Sequence, residues 1–253
     1  MPSSPLTVWI TRAEPAAAAT ADRVAALGHA PIVAPVLRIE PLSDLVVDLT
    51  GVAALAFTSA NGVRAFAGLH PRRDIRVFSV GAGTTAAAKA AGFKAVLSAE
   101  GDVNALAGRI AARRGELRGT VLHPGAAEPA GDLVGALMAE GLEARSLTLY
   151  DSVVVAPPAD LLGRLETVDV VLLHSPKAAR AVAKLLRGRD LPKLRLLCLS
   201  GAVAKPLART KVREVVRAPF PIEAALLSLI GRGDPTGVAP RPATKAATRR
   251  LKS

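Results

Sequence analysis

Phe57-Thr58-Ser59-Ala60-Asn61-Gly62-Val63-Arg64-Ala65 returns in altered form as Leu173-His174-Ser175-Pro176-Lys177-Ala178-Ala179-Arg180-Ala181. Each stretch closes an apolar run, turns through Ser and opens a helical pattern. The matches continue outward. Ala13-Glu14-Pro15-Ala16 recurs as Ala127-Glu128-Pro129-Ala130, and the helical stretches that follow end at Gly28 and Gly141. Arg76 to Val80 matches Arg195 to Leu199. The period of about 115 residues is far too long for a solenoid repeat of roughly 20–50. It implies two related α/β domains.

Periodicity gives short β runs at 6–11, 30–36, 53–58, 76–80, 94–97, 119–123, 142–147, 168–173, 195–199 and 212–216, with helices between most of them. The clearest helix is 102–114, where Val103, Leu106, Ala107, Ile110 and Ala111 share one face. A second is expected over 129–140, opened by Pro129 and ended before Gly141. Alternation of this kind means βαβ units and largely parallel sheets. A split near 117 gives five strands per half. So does an interleaved arrangement that crosses between domains at Leu37 to Leu42 and Leu147 to Val155. Periodicity leaves the two arrangements even.

Composition narrows the class. Half of the 253 residues are apolar and 21% are charged, which excludes a disordered chain. The lone Cys198 allows neither an internal disulfide nor a cysteine-based zinc site. No apolar run reaches the roughly 18 residues of a membrane helix. Met1 to Pro15 lacks a signal-peptide core, so the cytoplasm is the expected compartment. The formal net charge is +12. Residues 231–253 hold Arg232, Arg241, Lys245, Arg249, Arg250 and Lys252 against Asp234, without apolar period, and read as a basic disordered tail. The positive body implies an anionic partner. Aromatics are 3% of the chain, which counts against base stacking and nucleic acid.

Gly81-Ala82-Gly83-Thr84-Thr85-Ala86 fits G-x-G-x-x-A, with Glu100 nearby, and supports an alternative reading as a nucleotide-dependent oxidoreductase. Against it, the motif lies mid-chain, and its repeat partner, Ser200-Gly201-Ala202-Val203-Ala204, does not keep the pattern. Three turns share another property. Thr58-Ser59-Ala60-Asn61-Gly62, Ser175-Pro176-Lys177 and the Gly81 turn each set hydroxyls or free N–H groups at a helix start, at the carboxyl end of a strand. Simple capping, worth about 1 kcal/mol, explains any one of them. Together they suit a ligand with several carboxylates or phosphates. No triphosphate-binding loop, nucleophile elbow or metal-ligand spacing among His29, His70, His123 and His174 is present. Tyr150, the one tyrosine, lies in a candidate crossing strand and suits either packing or proton donation.

Ile10-Thr11-Arg12, the Phe57 to Val63 turn, Val80-Gly81 with Thr84-Thr85-Ala86, and the helix after Pro219-Phe220-Pro221 resemble the uroporphyrinogen-III synthase family over about residues 5 to 230. The resemblance implies two flavodoxin-like, three-layer α/β/α domains with parallel five-stranded sheets, joined by a two-stranded β-ladder. Residues 1–37 with 153–230 would form the first domain and 42–147 the second. Strands 38–41 and 148–152 would link them, and 231–253 would be the tail. It further implies cyclisation of hydroxymethylbilane, a polyanionic linear tetrapyrrole, with loss of water and inversion of the last ring. Tyr150 would be the catalytic acid. Arg12, Thr58, Ser59, Asn61, Gly62, Gly81, Thr84, Thr85, Gly125, Ser175 and Lys177 would bind substrate. No metal, cofactor, nucleic acid or membrane is expected, and the chain is expected to act as a monomer. Ser200 to Ala204 departs from the family, where Gly followed by a Thr-Ala pair is common.

Overall fold

A computed structural model of the chain describes residues 4–42, 45–129 and 131–231. In chain order its strands are β1 (Thr7–Ile10), β2 (Ala30–Val33), β3 (Leu37–Pro41), β4 (Val52–Phe57), β5 (Arg76–Ser79), β6 (Val96–Ser98), β7 (Thr120–Ala126), β8 (Ala144–Val154), β9 (Val170–Leu173), β10 (Asp190–Cys198) and β11 (Lys211–Arg217). Its helices are α1 (Ala16–Ala26), α2 (Ala60–Leu69), α3 (Ala82–Ala90), α4 (Val103–Ala111), α5 (Leu133–Ala139), α6 (Ala159–Gly163), α7 (Pro176–Leu185), α8 (Gly201–Ala204) and α9 (Glu223–Leu227).

The strands form two sheets. Sheet A has the order β11-β10-β9-β1-β2 and is wholly parallel. Sheet B has the order β3-β8-β7-β4-β5-β6. The sheets therefore interleave along the chain, as one of the two expected arrangements has it. The repeat explains the different chain orders. Matching β9 to β4, β10 to β5 and β1 to β7 lays β2-β1-β9-β10-β11 over β8-β7-β4-β5-β6. The spatial order is conserved while the chain order is circularly permuted. Only sheet A carries the flavodoxin-type order 2-1-3-4-5; sheet B reads 3-2-1-4-5, which corrects the expectation of two flavodoxin-like units.

Sheet B also corrects the expected parallel five-stranded form. β8 pairs in parallel with β7 from Val121↔Ala144 to Ala126↔Tyr150. It then runs on and pairs antiparallel with β3 from Pro41↔Tyr150 to Leu37↔Val154. The expected linker strands are thus the edge of a six-stranded mixed sheet. The reason lies in β8 itself, whose β-prone run Leu147 to Val155 contains no glycine or proline to break the strand.

Side-chain alternation puts a core on each face of each sheet. In β1, Trp9 faces Val171, Leu173, Leu196 and Val182, while Val8 and Ile10 face Val24, Leu172, Leu226 and Ile230. In β4, Leu55 and Phe57 pack with Val63, Phe66 and Phe93, while Ala54 and Ala56 meet Phe78, Leu106, Ile110 and Leu137. The fully buried Trp9 indole donates to the Ala34 carbonyl at 2.7 Å, so its polar edge is satisfied.

The local signals mostly place the helices. Asp102 caps α4 by accepting from the N–H groups of Asn104 and Ala105, both at 3.0 Å. This helix ends at Ala111, short of the expected 114, and a 3₁₀ turn over Arg114–Glu116 follows. Gly28 and Gly141 close their turns in the left-handed region, at φ +83° and +74°. α5 begins later than expected. Asp132 accepts from the Gly135 N–H at 2.8 Å, and this cap overrides the Pro129 signal. Of the expected tail, only Gly231 is described; residues 232–253 lie outside the described residues. Among the described residues no helix is long and apolar enough to cross a membrane.

Candidate functional site

In each sheet the carboxyl ends of the parallel strands lie along one edge, with the following helices beginning there. On sheet A that edge carries Arg12, His174, Ser175 and Lys177. On sheet B it carries Thr58, Ser59, Gly81 and Gly125, with Tyr150 further along β8. Lys177 brings the two edges together. Its Nζ lies 3.4 Å from the Asp151 carboxylate and 3.4 Å from that of Glu128. It therefore ties the start of α7 to the carboxyl end of β7 and to β8.

Tyr150 is 5% exposed and packs with Leu55, Phe57, Val63 and Leu149. Its hydroxyl lies 2.8 Å from Ser59 Oγ. Ser59 caps α2, and its Oγ accepts the Gly62 N–H at 3.1 Å. Ser59 can then give its own proton to the Tyr150 oxygen, which leaves the phenol proton free for transfer. Burial pushes the Tyr150 pKa above its ordinary 10, against the opposing effects of the Ser59 hydrogen bond and the Arg64 charge. The phenol is neutral at pH 7.

The other expected site residues divide by what they touch. Gly62 is needed for space, since a Cβ there would sit 2.8 Å from the Pro124 carbonyl oxygen. Gly125 backs onto His123, whose ring would be 3.2 Å from an added Cβ. Asn61 is held by Arg64, with Nη2 donating to Oδ1 at 2.9 Å. Ser175 caps α7 by accepting from the Ala178 N–H at 3.2 Å. The Thr85 hydroxyl lies 2.7 Å from Ser79 Oγ and donates to the Gly81 carbonyl at 3.1 Å. Thr84 is buried, at 6% exposure. The Thr58 hydroxyl has no protein partner among the described residues. Gly81 and Gly83 open α3 with open space where a Cβ would be and no side-chain cap. This turn follows β5, one strand out from the β4–β7 pair where the strand order of sheet B reverses. The pocket for a dinucleotide belongs at that reversal.

Sequence reasoning missed three groups. Arg64 stands one turn along α2 from Asn61 and acts electrostatically on both Tyr150 and Arg12. The repeat carried the signal, since Arg180 is its counterpart. His174, noted in the sequence only for its lack of metal spacing, has both ring nitrogens buried, and neither has a hydrogen-bond partner among the described residues. Burial lowers its pKa, as it does that of His123, so both rings are neutral at pH 7. Glu223 is the third. Its carboxylate meets Arg12 at 3.1 Å, the Thr20 hydroxyl at 2.5 Å, and Arg23. Burial alone would raise its pKa, but its polar neighbours, the Thr20 hydroxyl and the Arg12 charge among them, hold it at about 2. Among the described residues no three His, Cys, Asp or Glu side chains cluster as metal ligands. Burial raises the Cys198 thiol to about 12, so the thiolate is scarce.

The model of the family described as Uroporphyrinogen-III synthase HemD matches residues 18–228. A search of curated proteins finds no sequence match. Among solved structures, uroporphyrinogen-III synthetase from Helicobacter pylori is similar with a TM-score of 0.63 at 16% identity, covering 89% of this chain and 97% of that one. A mutant uroporphyrinogen III synthase from Thermus thermophilus gives a TM-score of 0.49 at 18% identity, covering 90% and 98%. The structural likeness bears on the fold, and the match to the family model, which spans most of the chain, decides the family. The chain belongs to the uroporphyrinogen-III synthase family, whose members cyclise hydroxymethylbilane in heme biosynthesis.

Proposed function

We propose that cyclisation takes place between the carboxyl edges of the two sheets, with Tyr150 as proton donor. The single observation that carries this reading is the buried Tyr150–Ser59 pair at 2.8 Å. It is the one phenol in the chain, and burial keeps it protonated. Loss of the hydroxyl from hydroxymethylbilane gives an azafulvene, and a proton delivered to the departing oxygen assists that step. The substituted carbon of the last ring then attacks to form a spiro intermediate. Fragmentation and reclosure give the inverted isomer, uroporphyrinogen III. The azafulvene is reactive without help, so the protein's main task is to hold the chain in the productive geometry.

Holding falls to cations, hydroxyls and backbone N–H groups, because every ring bears acetate and propionate chains. Arg12, Thr58, Ser59, Asn61, Gly62, Gly81, Thr84, Thr85, Gly125, Ser175 and Lys177 form this set. Thr58, the uncapped start of α3 and two nitrogens of Arg12 are its uncommitted donors among the described residues. Gly62, Gly125, Thr84 and Thr85 act by shaping the turns. Residues 1–37 with 153–230 and residues 42–147 are the two units that flank the substrate, and β3 with the end of β8 joins them. The protein works as a cytoplasmic monomer.

A polyanion held this way must respond to salt. Raising the ionic strength from about 0.05 to 0.5 M shortens the Debye length roughly threefold. The expected result is a KM that rises several-fold while kcat changes little. A KM independent of salt would contradict the electrostatic hold.

A further inference from the structure

We propose that Glu223 is a positioning residue: its carboxylate fixes the Arg12 guanidinium at the carboxyl end of β1, where the remaining Arg12 donors meet a substrate carboxylate. The inference rests on the reading of Arg12 as a substrate contact.

A carboxylate beside a polyanion site needs a reason, since alone it repels the ligand. Glu223 has one in its neighbours. Arg12 Nη1 donates to Glu223 Oε1 at 3.1 Å and lies 3.3 Å from Thr20 Oγ1. Arg23 binds the other carboxylate oxygen, and His174 Nε2 lies 3.6 Å from Oε1. These groups come from α1, the β1 end and the β9 end, and Glu223 gathers them from the first turn of α9. Two guanidiniums share one carboxylate, and with His174 neutral the cluster keeps a net positive charge. An anion entering it restores balance.

The hold on Arg12 is also one-sided. Only Nη1 is engaged, and Nε and Nη2 have no protein partner among the described residues. The Arg12 side chain keeps 29% exposure. A guanidinium pinned through one nitrogen offers its remaining donors to a carboxylate in a fork geometry. Without Glu223, Arg12 would face the like charges of Arg23 and Arg64 with only the Thr20 hydroxyl to hold it. It would then turn into solvent, and the substrate would have to order it again on binding.

The test is steady-state kinetics on the full chain with hydroxymethylbilane, for Glu223→Gln, Arg12→Ala and the double variant, each checked by thermal melting. Glu223→Gln should raise KM about 5- to 20-fold with kcat within about twofold, the pattern of lost binding without lost chemistry. In the Arg12→Ala background the same change should add nothing further, because the two act as one unit. Should Glu223→Gln fail to fold, Thr20→Val removes the hydroxyl that holds the carboxylate and should raise KM about 2- to 4-fold. An unchanged or lowered KM in the folded variant, or an additive effect in the double variant, overturns the proposal while Arg12→Ala still raises KM. An unchanged KM in Arg12→Ala overturns the reading of Arg12 and the proposal with it.

Discussion

Tyr150→Phe lowers the turnover number roughly tenfold to a thousandfold and leaves KM within about twofold. The ring keeps its packing against Leu55, Phe57 and Leu149, so the fold and the site shape persist. Only the hydroxyl goes, and with it the proton offered to the departing water. Ser59 loses a partner at 2.8 Å, but its Oγ still accepts from the Gly62 N–H and α2 stays capped. The loss is bounded because a phenol, the more so with its pKa raised by burial, is a weak acid and the substrate ionises readily by itself. The direction of the Tyr150 shift adds a pH signature. A raised pKa keeps the proton in place through neutral and mildly alkaline solution, so loss of turnover from this group sets in at higher pH than for an ordinary tyrosine. The check is kcat across pH for both proteins with the chemical step isolated by single turnover. Equal single-turnover rates would remove Tyr150 from the chemistry.

Gly62→Ala destabilises the protein by about 1–3 kcal/mol, the usual range for overpacking, and lowers activity with it. Its Cβ would lie 2.8 Å from the Pro124 carbonyl oxygen, which is backbone and held in β7. The clash must be relieved by moving the first turn of α2 away from β7. That turn carries Ser59, so the Ser59–Tyr150 hydrogen bond lengthens as well. Ser59→Ala is the informative control. It removes the cap and the Tyr150 partner without adding bulk, at about 1 kcal/mol for the cap. Denaturant unfolding of both variants checks the ordering. A Gly62→Ala protein as stable as the parent would show that α2 shifts freely and that the contact is unimportant.

Much of this was legible in local residues. The Phe57 and Leu173 turns announce the repeat, and Gly28 and Gly141 mark helix ends correctly. Asp132 shows the limit of such signals, since a side-chain cap three residues past Pro129 outweighs the proline. The circular permutation was not legible. Whether β9 pairs with β1 depends on which apolar face finds which, and periodicity does not encode that. The family resemblance implied a two-stranded ladder at 38–41 and 148–152, but not that its second strand is the unbroken end of β8 in sheet B. In the candidate site, Tyr150 and Ser59 were both noted, but their contact spans 91 positions. Glu223 was missed because its partners Thr20 and Arg12 lie 203 and 211 positions away. No local pattern distinguishes it from an ordinary glutamate in the first turn of a helix.

The family assignment is tested most directly by product analysis. Enzymatically generated hydroxymethylbilane is supplied to the protein with no added cofactor, and the type I and type III uroporphyrinogen isomers are separated. The account predicts that type III predominates, against a protein-free control that closes to type I. A mixture dominated by type I and matching that control, or type III formation only when a nicotinamide or flavin is added, would contradict it.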